Sequence, residues 1–482
     1  MGAAALVLAA GACGAIATPG DTLVISLNSG GVLGNLPSVA PTISGDGVLV
    51  AFQSSATNLG AGDLNARDDM FVRDLGASAT TAASLNNGGA YGVDNSGPGV
   101  ISNDGRFVVF SSTSNNLSPG DTNGLADVFV RDLLLGTTTI VSLDAAGGPA
   151  NGASGTPVIS ADGRYIAFES AASDLIATDT NGTTDIFVRD MVAGVTVRAS
   201  VGTGGVQGFN GSSLRPQISA DGQVVSFDSA ATTLVAGDTN GVRDVFVRNL
   251  STGVTVRASV SDTGAQLTDQ SLGPAPLSSN GSFICFSSFA NTVVPGDTNF
   301  SVDLFTKTVG SDASVARITV NPITGVQANF GSTRPAMTPD GRFIVFVSSA
   351  TNLVAGDTNT RDDIFQYDGL VGTITRVNLS TGGAQANNSS GTPAISNDGR
   401  FVVFASNANN LDPADATAFS DVYLHESRCP SDVNADGSVD LADFFQFFND
   451  FDQTLPGADL NGDGNVDLVD FFAFLNAFDL SC

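Results

Sequence analysis

The sequence predicts an all-β fold, a seven-bladed propeller, followed by a small α-helical calcium-binding C-terminal domain. Three observations carry that expectation. A pattern built on S-x-D-G and D-x-F-V-R-D returns, blurred but legible, through the first 428 residues. Each copy divides into short β-rich runs separated by turns rich in glycine and asparagine. The last 54 residues abandon the pattern for two aspartate-rich loops, each followed by phenylalanines at helical spacing.

The repeat is set by a proline ahead of each S-x-D-G turn. Pro41, Pro98, Pro157, Pro216, Pro274, Pro335 and Pro393 stand 57, 59, 59, 58, 61 and 58 residues apart. Self-similarity at one period means stacked copies of one supersecondary unit. In the second copy, strand A is the P-x-I-S segment, and Asp104-Gly105 turns it into strand B, residues 106–111. Asp-Gly between two β-rich runs is a strong hairpin signal. Strand C is expected at 127–132 and strand D at 138–143. Strands B and C are apolar at consecutive positions (Phe107, Val108, Val109, Phe110) rather than alternating, so both faces of the sheet must be covered. Radial packing of blades does this.

Closure separates a propeller from an open solenoid. The seventh copy ends at Glu426 without a strand D, whereas residues 21–27, ahead of the first copy, read like one. An N-terminal strand completing the last blade leaves no orphan sheet edge. The motifs S-x-D-G-R-[FY]-x-x-F and D-x-[FY]-V-x-D resemble those of the TolB-like and WD-repeat-like propellers, across 18–428. That resemblance implies the fold and says little about function. Loops 112–126 and 144–156 are long and emerge on one face, which makes that face the expected binding surface for a ligand the sequence does not name.

A formal charge of −29 argues against a nucleic-acid or anionic-membrane partner, since both need a basic face. Residues 1–17 read as a secretory signal, an apolar run over 3–10 followed by Ala15-Ile16-Ala17. Beyond them no run of 18 apolar residues occurs, so no transmembrane segment is expected and the chain is placed outside the cytoplasm. Cys285 falls within strand B of the fifth copy, as a buried thiol. Cys429 and Cys482 bracket the tail, and export makes a disulfide between them an expectation.

In the tail, residues 429–482, Asp432, Asn434, Asp436, Ser438, Asp440 and Asp443 fall at positions 1, 3, 5, 7, 9 and 12 of a loop, with Gly437 at its sharp turn. Asp459, Asn461, Asp463, Asn465, Asp467 and Asp470 repeat the spacing. Six to eight oxygens are what calcium requires, so two ions are expected. Phe444, Phe447, Phe448 and Phe451 follow the first loop at helical spacing. The paired loop-helix arrangement, of EF-hand type, resembles a dockerin domain. The flanking cysteines resemble the anchoring modules of planctomycete surface proteins. The resemblance implies a cohesin-like protein partner or surface scaffold. Positions 10 and 11, where that family often uses small hydroxyls, are apolar here (Leu441-Ala442, Leu468-Val469).

Chemistry within the propeller is sparser. Asp-x-Asn-x-x-x-Asp recurs in the B–C loops, as Asp121/Asn123/Asp127 and Asp179/Asn181/Asp185. Further calcium ions or Asx turns both account for it, and three guaranteed oxygens favour the turn. The arginines of D-G-R (Arg106, Arg164) and F-V-R-D (Arg73, Arg131) are expected to pair between blades. The single histidine, His425, has no marked nucleophile and reads as structural. Glu169 and Asp228 occupy one repeat position in adjacent blades and are the two carboxylates available for sugar chemistry. The sequence therefore reads first as a secreted, calcium-binding interaction and anchoring protein without catalysis. Its alternative is a propeller-type carbohydrate-active enzyme, a glycoside hydrolase or lyase, in a polysaccharide-degrading assembly.

Overall fold

The computed structural model describes residues 20–311, 314–427 and 441–453, together with positions 458, 466, 468, 471, 474 and 475. The expected signal at 1–17, Cys429 and Cys482 lie outside the described residues. Seven four-stranded antiparallel sheets form seven blades, each ordered A-B-C-D. In the third blade these are Ser154–Ile159, Tyr165–Ser170, Asp185–Asp190 and Val195–Arg198. Expected and observed bounds of strand C coincide in the second blade (Asp127–Asp132), while its strand D runs Thr137–Ile140, shorter than the threonine-rich run.

Each A–B turn is held by its own side chains. Ser160 Oγ donates to Asp162 Oδ1, and that oxygen also accepts the Arg164 amide at 3.0 Å. Gly163 takes a left-handed φ of 75°, and a Cβ there would stand 2.2 Å from the Phe107 ring of the preceding blade. The turn glycine thus serves two needs, backbone conformation and blade packing. One stacked aromatic pair bridges strands B and C of every blade, from Phe52–Phe71 with centroids 6.1 Å apart to Phe404–Tyr423 at 5.7 Å. The apolar core lies between blades. At the ring closure Ile25, Phe52 and Phe71 pack with Phe401, Val403 and Leu424.

Closure is as expected. Thr22–Val24 pairs antiparallel with Asp421–Glu426, Val24 opposite Tyr423, and completes the last blade. His425 is buried there, its Nδ1 2.9 Å from the Thr22 hydroxyl, and burial lowers its pKa to about 4. Cys285 is buried and free, with burial pushing its thiol pKa up.

Two expectations need correction. The D-G-R arginines pair within a blade. Arg106 reaches Asp132, Arg164 reaches Asp190 and Arg400 reaches Glu426, because strand B starts where its partner strand C ends. The F-V-R-D arginines bond oxygens that are not carboxylates, as when Arg131 Nη1 donates to Leu85 O and to Thr138 Oγ1.

The second correction concerns the tail. Among the described residues its one continuous helix is Leu441–Asp452, whose Phe447 is fully buried and stacks on Phe474, itself helical, with centroids 4.0 Å apart. Asp443 is buried in its first turn. No group of three His, Cys, Asp or Glu side chains among the described residues could hold a metal. One continuous helix with an aromatic core, and no metal-holding group among the described residues, overturns the paired EF-hand-type module, the dockerin-like reading and the calcium-dependent anchoring function built on it. The phenylalanine spacing reports hydrophobic packing instead. Of the twelve expected ligands only Asp443 is described; Asp432 to Asp440 and Asp459 to Asp470 lie outside the described residues.

Candidate functional site

Strand A of six blades, and Pro274 just after that of the fifth, line a central channel, whose cavity of about 540 Å³ is walled by the repeat prolines of all seven. The residue before that proline is unusual. In five blades it is not glycine and yet has a left-handed φ: Ala40 51°, Thr156 44°, Arg215 54°, Arg334 54° and Thr392 49°. Such a conformation costs about 1–3 kcal/mol per residue and persists only where the surroundings impose it. The imposition is a bulge. Strand B pairs Asp228 with Leu214 and Ser226 with Gln217, so the dipeptide Arg215-Pro216 faces a single residue. Repetition of the bulge puts the five pre-proline side chains on the channel wall, at the end from which the long loops emerge.

Symmetry breaks in blades three, four and six. Two pre-proline residues are arginines, Arg215 and Arg334, in a chain holding 19 Lys and Arg against 48 Asp and Glu. The strand-B position beside the bulge is Glu169 in the third blade and Asp228 in the fourth, but Ser287, Val347 and Ala405 in the next three. Asp228 is fully buried. It accepts Arg215 Nη1 at 3.0 Å, Arg243 Nη1 at 2.8 Å and the Gly273 amide at 3.2 Å. Glu169 is half-buried and accepts the Arg215 backbone N–H at 2.6 Å. The two carboxylates are thus joined through one residue, Arg215, whose amide serves one and whose guanidinium serves the other.

Arg334 is exposed, lines the same channel, and among the described residues its guanidinium makes no ion pair. The channel wall thus offers an anion the guanidinium of Arg334 and, already paired with Asp228, that of Arg215, whose backbone N–H is held by Glu169. The sequence marked Glu169 and Asp228; it did not mark the three arginines. For Arg215 and Arg334 the signal was present, as arginine at a position otherwise held by Ala, Gly or Thr.

The B–C loop triplets form Asx turns. Asn181 Oδ1 accepts the Thr183 amide at 3.0 Å, while its Nδ2 donates to Asp185 at 2.8 Å and to Gly208 O at 2.9 Å. No helix among the described residues is long and apolar enough to cross a membrane.

The sequence matches no family model and no curated protein. Solved structures do match. The β-propeller domain of the Trilobed protease from Pyrococcus furiosus is 10% identical, covering 82% of this chain and 96% of that one, with a TM-score of 0.50. An oligogalacturonate lyase from Vibrio parahaemolyticus is 12% identical over 85% and 98%, with a TM-score of 0.49. TolB from Acinetobacter baumannii is 15% identical over 81% and 80%, with a TM-score of 0.37. At these identities the likeness is one of fold. A likeness of fold gives no ground for the expected non-catalytic scaffold, and that expectation is set aside.

Proposed function

We propose that this chain is a propeller-type carbohydrate-active enzyme of the lyase kind, acting on an anionic, uronate-bearing polysaccharide at the loop-side mouth of its channel. The observation that carries it is the break in the repeat, where Arg215 and Arg334 stand on an otherwise repetitive channel wall and Glu169 accepts the Arg215 amide. A uronate is cleaved by β-elimination when a base removes the proton at C5 and the O4 bond breaks. The charge that develops on the carboxylate must be held, which is the work of a guanidinium pair. In this reading Glu169 takes the proton, Arg334 and Arg215 hold the carboxylate, and the departing oxygen is protonated by water. Asp228 is a positioning residue.

A hydrolase reading is weaker on the same geometry. Glycoside hydrolysis needs two carboxyl groups that both reach the substrate. Asp228 has no exposed surface and is occupied by two guanidinium groups and an amide. Export directed by residues 1–17 would place the enzyme where such polymers are met.

The test is ultraviolet absorbance of the unsaturated product, with polygalacturonate and alginate as substrates. Wild-type protein should release product from one of them, and Glu169→Gln should lower kcat by at least about a hundredfold. No product from either polymer, or a Glu169→Gln variant as active as wild type, would overturn the assignment.

A further inference from the structure

The seven B–C loops solve one electrostatic problem in different ways. In blades three to six, strand D puts an arginine opposite the strand-C phenylalanine: Arg198, Arg257, Arg317 and Arg376. Each guanidinium enters the slot between two loop aspartates. Arg198 lies 3.1 Å from Asp179 and 3.6 Å from Asp185, and Arg376 lies 3.2 Å from Asp357 and 3.9 Å from Asp363. A glutamine from the D–A loop completes the slot. Gln207 donates to Asp179 at 2.9 Å, and Gln385 accepts from Arg376 at 3.0 Å.

Blade two keeps both aspartates and loses both partners. Ile140 stands at the arginine position, opposite Phe129, and Pro149 stands at the glutamine position, bridged to Leu143 as Gln207 is to Val201. Asp121 is 6% exposed, and neither of its carboxylate oxygens has a hydrogen-bond partner among the described residues. Asp127 is fully buried, its Oδ1 bound by Ser142 and its Oδ2 by Asn123. Two buried carboxylates therefore lie close together with no counter-charge among the described residues. Leaving buried charge uncompensated is strongly destabilising. Blade seven escapes the problem differently, since the Tyr423 hydroxyl donates to Asp415.

We propose that blade two holds a hard metal cation between Asp121 and Asp127, where blades three to six hold a guanidinium. The donors are all oxygen, which suits calcium or magnesium over softer metals. Two carboxylates do not fill such a shell, so waters or loop carbonyls supply the rest. Blade one shows a milder form of the same loss. Ala82 replaces the arginine, and one oxygen of Asp63, 3% exposed, is without a partner among the described residues.

The experiment is isothermal titration of the full chain, first stripped with chelator, with calcium chloride and separately with magnesium chloride. Ile140→Arg supplies the guanidinium found in the sister blades, and Asp121→Asn removes the bare charge. Each variant should bind one ion fewer than wild type, and its melting temperature should rise less on adding metal. Any ions bound elsewhere stay constant and cancel in the comparison. Should Ile140→Arg fail to fold, Asp121→Asn still decides the question. Stoichiometry unchanged in Asp121→Asn, or no binding of either metal by wild type, would overturn the proposal and leave a shared proton as the resident of the slot.

Discussion

Arg243 donates to Asp228 at 2.8 Å, and Arg215 of the same blade donates to it from the channel side, so one buried carboxylate fixes two guanidinium groups at the mouth. Removing the carboxylate releases both. Asp228→Ala should cost about 2–3 kcal/mol of stability, the range for hydrogen bonds to a charged group. The loss is held to that range because the two arginine side chains are 40% and 23% exposed and water takes over part of the bonding. Urea denaturation monitored by circular dichroism measures it, and an unchanged midpoint would mean that the pair contributes nothing.

Arg334 is the complementary case, an exposed guanidinium that packs little. Arg334→Ala should leave the melting temperature within about a degree, as for other surface substitutions. Affinity for polygalacturonate or alginate should fall about tenfold or more, with a shallower dependence on salt. Equal affinity in the two proteins would remove Arg334 from the site.

Ring closure rests on the first described residues. Val24 and Ile25 are 3% and 4% exposed, and burial of an aliphatic side chain stabilises by about 1.5–3 kcal/mol. Deletion of residues 20–27 should therefore destabilise the propeller by at least about 3 kcal/mol. Calorimetry would show a lower melting temperature; an unaltered one would mean that the ring does not depend on this strand.

Acid should act through His425. Its pKa is about 4 in the folded chain against 6.5 when free, because burial disfavours the imidazolium. Between those values the unfolded chain binds a proton that the folded chain refuses, so stability falls as pH drops from about 6.5 to 4, by about 3 kcal/mol in all. Asp69 and Asp421 have the opposite sign. Burial raises each to about 6 from 3.8, so their penalty grows as pH rises through that window and vanishes below it. A His425→Gln variant should lose the acid-side decline and keep the aspartate contribution. Parallel pH–stability curves for variant and wild type would refute the assignment.

Much of the architecture was legible because it is local. Ser160, Asp162 and Gly163 build a turn from neighbours three residues apart, and the apolar runs around Phe168 and Phe187 need two covered faces wherever they occur. The missing strand D of the last blade and the spare strand near Thr22 complemented each other as text. The tail misled for a related reason. Phenylalanine spacing reports a helix and not what that helix packs on, which is Phe474 for Phe447.

The sequence by itself determined the repeat, the strand order, the aromatic pair at the heart of each blade and the strand that shuts the ring, because these follow from periodicity and short-range hydrogen bonding. Tertiary structure alone decided which like-looking charges meet. Arg106 and Arg198 are both repeat arginines, yet one closes its own hairpin at Asp132 and the other fills a buried slot at Asp179. Asp121 and Asp179 occupy equivalent positions, and only the cross-strand pairing shows that Ile140 stands where Arg198 serves the second, which leaves the first bare. Charge pairing depends on distances across strands and blades, and those are set only when the seven sheets are brought around a common axis.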